Sequence, residues 1–252
     1  MRISNNSIQT FKQCRRLWEF YYKYNLKSVQ IAPALETGLT YHDKLEIIIK
    51  TGDFKRDGDP KTDAMATAWK TYIYPQLNDR FEPEQWFEYQ TKGGNLLVGR
   101  YDGIGQTMLL EHKSTSNKID GCYWSALELD EQILTYMLTS GRRKVFYTVC
   151  QKPTLKRSRN ETAREFAERC VTWYDNCTEQ KISSQIITRN TEDLEGFEES
   201  IDLMCNEIEN CTNFYRNPNH CMRWGRPCEF MAICKTYNPN MEYIGFEQRE
   251  VK

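Results

Sequence analysis

The sequence predicts one α/β domain, a small mixed β-sheet flanked by helices. Three observations carry this expectation. Two short apolar runs, 96–104 and 108–113, flank a Gly105-Gln106-Thr107 turn and read as a β-hairpin. Val145 to Cys150 is a near-continuous apolar run, as expected of a buried strand. Around them lie segments with apolar residues at helical spacing, most clearly 35–50 and 125–140.

Each element can be justified in turn. Ser4-Asn-Asn-Ser7 is a helix N-cap signal, and Ile8, Phe11, Leu17 and Phe20-Tyr21 keep helical spacing toward Leu26. Cys14 falls between two helical turns and reads on its own as a buried thiol. In 35–50, Leu35, Leu39, His42, Leu45, Glu46 and Ile49 recur at steps of three or four, so His42 and Glu46 share a face. A histidine on an apolar helix face is usually a core residue; packed beside the hairpin, it would supply a nitrogen ligand. A polar loop spans 53–63, and a helix follows from about Asp63 to Leu77 with Trp69, Tyr72 and Ile73 inward. The strand 81–91 feeds the hairpin. In 125–140, Leu127, Ile133, Leu134, Met137 and Leu138 form the apolar side, Gln132 and Tyr136 share a face, and Gly141 is the C-cap. Residues 160–177 read as helix, 185–189 as strand and 192–215 as a long helix in which Cys205 and Cys211 pack. Cys122, Cys150, Cys170 and Cys177 have no ligand-like neighbours.

Composition narrows the function classes. With 252 residues, 39% apolar and 27% charged, the sequence suits a soluble domain with a full core. A net charge of −1 excludes global basicity, so nucleic-acid contacts would come from local patches. The candidates are Lys12 with Arg15 and Arg16, Arg142 to Lys144, and the segment holding Lys152, Lys156, Arg157, Arg159 and Arg164; each alone is more often a solvated face. No secretory leader or membrane-length apolar run is present, and the expected location is the cytoplasm. Ten cysteines there point to metal binding or burial rather than disulfides. No G-x4-G-K-[ST] motif occurs, so ATP-driven unwinding would belong to a partner.

Two constellations carry chemistry. Asp102 lies near the end of the first hairpin run, and Glu111 and Lys113 close the second, on one side of their strand because side chains alternate. Two carboxylates that hold a hard divalent cation, with a lysine beside the scissile phosphate, are what metal-assisted phosphodiester hydrolysis needs. Acid-x-Lys occurs at five places, but only the Glu111 copy ends an apolar run preceded by another run carrying an acid. The competing reading is a half-buried hairpin with a surface ion pair. The second constellation is Cys221, Cys228 and Cys234 among turn formers. Three thiolates leave a tetrahedral metal or a cuboidal cluster one ligand short, and Cys14 is the fourth. The alternative is unrelated buried thiols.

Taken in order, Cys14-Arg-Arg-Leu-Trp-Glu-Phe-Tyr-Tyr, Gly38-Leu-Thr-Tyr-His42-Asp-Lys-Leu-Glu46, Gly99-Arg-Tyr-Asp102-Gly-Ile, Leu110-Glu111-His-Lys113, Gln132-Ile-Leu-Thr-Tyr136 and the late cysteines resemble the PD-(D/E)xK nuclease superfamily. The likeness is to its RecB-type members with a four-cysteine iron-sulfur clasp, as in the AddB subunit and CRISPR-associated nucleases. It implies a restriction-endonuclease-like core over 35–150 of a single domain, 1–252, with 1–30 and 205–240 forming the clasp. His42, Asp102, Glu111 and the His112 carbonyl would hold Mg2+ or Mn2+. Lys113 would orient water or neutralise charge, Gln132 and Tyr136 would position Lys113 and the nucleic acid, and Glu46 would orient His42. Cys14, Cys221, Cys228 and Cys234 would ligate a 4Fe-4S cluster. Cys211 or Cys205 are substitutes for Cys221, since many relatives space these cysteines C-x2-C-x5-C, whereas the spacing here is C-x6-C-x5-C. The expected activity is a metal-dependent deoxyribonuclease, an exonuclease on single-stranded or end-bearing DNA in recombination, repair or phage and CRISPR-related processing, with a helicase or recombination partner and oligomers among its relatives. The alternatives are a non-cutting nucleic-acid-binding subunit and a redox or metal-sensing iron-sulfur protein.

Overall fold

The computed structural model describes residues 1–29, 33–176, 178–236 and 245–248; Cys177 lies outside them. In sequence order the first elements are β1 (Arg2–Ile3), α1 (Asn5–Gln13), α2 (Arg15–Trp18), β2 (Leu26–Ser28), α3 (Pro33–Thr51) and α4 (Pro60–Ala68). The hairpin region contributes β3 (Glu82–Gln90), β4 (Leu96–Ile104) and β5 (Leu109–Thr115), then α5 (Gly121–Ala126), α6 (Glu131–Ser140) and β6 (Lys144–Gln151). The remainder is α7 (Ala163–Thr172), α8 (Thr178–Lys181), β7 (Ile182–Thr188), α9 (Thr191–Glu209), α10 (Pro218–Cys221), α11 (Met231–Lys235) and β8 (Phe246–Gln248). The protein divides into two units, one of residues 33–87 and 99–195, the other of 1–32, 88–98 and 196–252.

Several boundaries differ from the pattern reading, each for a local reason. Ser4 does cap α1, accepting from Ser7 N, but Cys14 adopts an extended backbone (φ −164°, ψ 116°) and splits the expected helix into α1 and α2. Helix α4 begins at Pro60 rather than Asp63: Asp59 caps it, and proline suits a first helical turn whose N–H would lack a partner. A π-helical turn over Trp69–Ile73 and a 3-10 turn over Tyr74–Gln76 follow. The expected helix 125–140 breaks at Asp130, whose carboxylate accepts from Ile133 N at 3.0 Å and starts α6; Gly141 ends it with φ 70°. Strand β1 is too short for periodicity to reveal.

The 33–87/99–195 unit holds a central mixed sheet flanked by helices. The hairpin pairs β4 and β5 antiparallel at Gly103↔Leu110 and Ile104↔Leu109. Strand β5 runs parallel to β6 from Leu109↔Val145 to Thr115↔Gln151, and β6 is antiparallel to β7. A parallel neighbour needs a crossover, supplied here by α5 and α6. Tyr41, Leu45 and Ile48 of α3 pack with Trp69, Leu110, Phe146, Cys150, Phe166 and Tyr174 in one core, and α4 packs on α7. This core anchors the helix that carries His42 and the strands that carry the acids.

In the other unit, β1 runs parallel to the start of β4 (Arg2↔Leu96, Ile3↔Leu97) and β2 pairs antiparallel with β8. Its turn 91–95 is pinned by Asp202 of α9, which accepts from Gly93 N and Asn95 Nδ2 at 2.7 Å each. Leu17, Phe20, Leu26, Phe230 and Ile233 form a small core that includes Cys14. No described helix is long and apolar enough to cross a membrane.

Candidate active site

Strand alternation sorts β4 into two faces. Leu97, Tyr101 and Gly103 are buried on one; Arg100 and Asp102 lie on the other. Asp102 Oδ2 accepts from the His112 backbone N–H at 2.8 Å, tying β4 to β5, and lies 3.6 Å from His42 Nδ1 on α3. A third acid joins them. Ligand atoms of His42, Glu84 and Asp102 all fall within 4.8 Å of one another, a nitrogen and two carboxylates suited to a hard divalent cation. Burial lowers the His42 pKa against the pull of Asp102, so its ring is a neutral donor.

Glu84 was not anticipated from the sequence. It sits in β3 with φ 58°, a left-handed conformation uncommon outside glycine, and its Oε2 forms an ion pair with Arg100 Nε at 2.6 Å. Burial raises its pKa against the opposing charge of Arg100. Period-two reading places Glu84 on a face with Glu82, Trp86 and Glu88, and nothing in that row singles it out. The available signal was weak: an acid one residue beyond Pro83, just ahead of the hairpin.

Glu111 is 1% exposed, and apart from its ion pair with Lys113 neither carboxylate oxygen has a partner among the described residues. Burial, then the charge of Asp102, holds its pKa well above the carboxylate range, with Lys113 opposing. For Lys113, burial favours the neutral amine, but the charges of Glu111 and Asp102 outweigh it and the ammonium persists. A dry carboxyl whose one partner is Lys113, set next to a group of acids, is an arrangement that a divalent cation would complete. The residues present therefore fit such an ion.

Lys113 is fixed by a directional relay. Its Nζ donates to Gln132 Oε1 at 2.8 Å, Gln132 Nε2 donates to Tyr136 Oη at 2.9 Å, and Tyr136 donates to the Arg100 carbonyl at 2.7 Å. The four-residue spacing on α6 thus links β5 back to β4. Gly99 allows the strand to lie under this relay. A Cβ there would meet Phe87 Cζ at 2.5 Å, and Phe87 stacks on Tyr101 with ring centres 4.6 Å apart.

The other expected residues divide. The His112 side chain packs edge-on against Trp69 and shares a 2.9 Å hydrogen bond with Thr148, while burial lowers its pKa to about 3. Glu46 is occupied by Lys50 at 2.5 Å. Arg15 pairs with Glu207 and lies over the Phe11 and Tyr215 rings; Arg16 pairs with Glu19 at 2.6 Å. Lys156 and Arg157 are exposed, Arg157 donating to the Glu161 carbonyl, and burial lowers the pKa of half-buried Lys152.

Cys14, Cys221, Cys228 and Cys234 line one cavity of about 190 Å³, with Arg16, Arg216 and Lys235 at its wall. The loop that brings them together is closed by Cys228 N donating to the Cys221 carbonyl at 2.8 Å. Burial raises the thiol pKa of Cys228, and the neighbouring Cys14, Cys221 and Cys234 add to it. Cys205 is packed in α9, and neither it nor Cys211 lines the cavity. The four cysteines share a cavity wall with cationic neighbours, but their sulfurs do not gather within 4.8 Å of one another as the His42, Glu84 and Asp102 ligand atoms do.

Comparison with known proteins completes the picture. The crystal structure of SSO0001 aligns over 92% of this protein and 85% of its own length, with TM-score 0.50 and 16% identity. An alkaline exonuclease from Laribacter hongkongensis aligns over 82% and 88% (TM-score 0.37, 14% identity), and a phage-related exonuclease from Haemophilus somnus 129PT over 66% and 78% (TM-score 0.38, 12% identity). No curated protein matches the sequence. The model of the PD-(D/E)XK nuclease superfamily matches residues 2–235, spanning β1, the hairpin, α6 and the late cysteines. The chain belongs to the PD-(D/E)XK nuclease superfamily.

Proposed function

We propose that the protein is a divalent-metal-dependent deoxyribonuclease that hydrolyses phosphodiester bonds, acting from the ends of single-stranded or end-bearing DNA in recombination, repair or related DNA processing. The observation that carries this reading is the buried Glu111 carboxyl, paired only with Lys113, beside the His42, Glu84 and Asp102 group. His42, Glu84, Asp102 and Glu111, with the His112 carbonyl, would hold Mg2+ or Mn2+. When bound, that ion supplies a lowered water pKa and a counter-charge for the phosphate. Lys113, locked by Gln132, places a permanent positive charge where negative charge develops on the phosphate. Tyr136 holds the amide of Gln132 in the orientation that accepts from Lys113, and its bond to the Arg100 carbonyl fixes the strand next to Asp102.

We assign the four-cysteine cavity a structural 4Fe-4S cluster, on the resemblance to four-cysteine nucleases and on the donor set. A helicase or recombination partner and an oligomeric state are part of the same proposal.

The test uses anaerobically purified protein with end-labelled single- and double-stranded DNA and closed circular DNA, with and without Mn2+, alongside Lys113→Ala. Metal-dependent loss of linear but not circular substrate, absent in Lys113→Ala, is the expected result. Cutting that survives in Lys113→Ala refutes the site assignment. A folded, cluster-bearing protein that binds DNA without cutting refutes the nuclease reading.

A further inference from the structure

We infer that Trp86 and Arg100 form a subsite for one unpaired nucleotide beside the scissile bond, Trp86 stacking on the base and Arg100 contacting the phosphate. The inference rests on the nuclease reading and deepens it to a substrate class. Trp86 is 70% exposed, the only tryptophan so exposed among the described side chains. It stands in β3 two residues beyond Glu84, while its neighbour Phe87 is buried. The Arg100 guanidinium lies 5.5 Å from the Trp86 ring centre, so one ring face is backed by a cation. The rest of the ring is open to solvent.

Arg100 joins this ring to the acid group. Its Nε lies 2.6 Å from Glu84 Oε2 in an ion pair, it lies on the Asp102 face of β4, and its carbonyl is held by Tyr136. The side chain is half exposed, and its terminal amino groups make no hydrogen bond to the described residues. A guanidinium with spare donors, fixed at its backbone and next to a cation-binding group, is suited to a phosphate oxygen. The flat ring selects what lies beside that phosphate. Bases in a duplex have their faces covered by neighbouring bases and present only edges, whereas an unpaired base offers a face to an aromatic side chain. Stacking reads the π-face that every base shares, so the subsite tolerates any sequence.

The experiment measures binding by fluorescence anisotropy in a Lys113→Ala background with Mn2+, comparing Trp86, Trp86→Ala, Trp86→Phe and Arg100→Ala. The probes are oligothymidylate, the same oligomer with every base replaced by an abasic tetrahydrofuran, and a blunt duplex. Trp86→Ala is expected to weaken oligothymidylate binding roughly 5- to 150-fold, with Trp86→Phe restoring most of it and the abasic probe unaffected. Arg100→Ala is expected to weaken the single-stranded and abasic probes alike. Unchanged oligothymidylate binding by Trp86→Ala overturns the inference, as does an equal loss on the abasic probe or failure of the parent to bind single strands. Cleavage by the protein with native Lys113 is scored separately. The stacking pattern without cutting leaves the subsite standing and removes the nuclease reading; cutting with no dependence on Trp86 does the reverse.

Discussion

Gly99→Ala is expected to disable cutting without touching a charged group. The new Cβ would lie 2.5 Å from Phe87 Cζ, about 0.9 Å inside the 3.4 Å at which ordinary contact begins. Phe87 has little room to retreat, because its ring is buried, stacked on Tyr101 at 4.6 Å and set edge-on to Tyr136. Forced overlap of this kind costs about 1–3 kcal/mol of stability. The displacement passes to Tyr136, whose hydroxyl donates to the Arg100 carbonyl at 2.7 Å and orients Gln132 beneath Lys113. A misplacement of about 1 Å in such a relay lowers turnover on the order of 10²-fold. Urea unfolding and a Mn2+-dependent cleavage rate measure the two effects together. Phe87→Leu added to Gly99→Ala removes the atoms that collide and is expected to return part of both. An unchanged midpoint and rate for Gly99→Ala, or no recovery in the double variant, would falsify the account of why this motif begins with glycine.

Further outcomes follow from other groups. Tyr136→Phe is expected to leave the Arg100 carbonyl and the Gln132 amide short of a partner, costing about 1–3 kcal/mol and lowering the cleavage rate while substrate affinity changes little. His112 is buried with its pKa lowered to about 3, so its contribution is whole above the ordinary value of 6.5 and is lost as pH falls, because the unfolded state takes a proton that the folded ring refuses. Between pH 6.5 and 3 this removes up to about 5 kcal/mol, and His112→Gln should flatten that part of the stability–pH curve in urea titrations. Cys228→Ser is expected to abolish visible absorbance and the iron and sulfide bound per molecule; zinc bound instead, without sulfide, would refute the cluster.

Much of the site could be read from residue order, because its parts are local. That Glu111 and Lys113 share a side needed only strand alternation, and that Gln132 and Tyr136 share a face only helical spacing; their roles rested on the family resemblance. Cys14 and the late cysteines were linked by counting ligands, a chemical rather than a conformational inference. What escaped depends on pairing or on exceptional backbone. Glu84 acquires its meaning from a left-handed φ and from Arg100 in another strand. The break at Cys14 and the capping by Asp130 interrupt apolar patterns that are otherwise continuous, since a single residue's backbone angle leaves periodicity almost intact. Arg15 meets Glu207, an acid 192 residues away that sequence does not place beside it, whereas the partner of Arg16, Glu19, lies only three residues on.

The cavity thiols also have a history during synthesis. Cys14 precedes Cys221 by 207 residues, so at about 5–20 residues per second it leaves the ribosome roughly 10–40 s before its neighbours exist. In that interval all of 33–195 has emerged and can build its core, whereas the unit that contains Cys14 draws on three separated stretches and must wait for the last. The unit of 33–87 and 99–195 can thus form before the unit that holds the four cysteines. Until translation reaches Cys221, Cys14 has none of the thiols that share its cavity, and the set is complete only at Cys234.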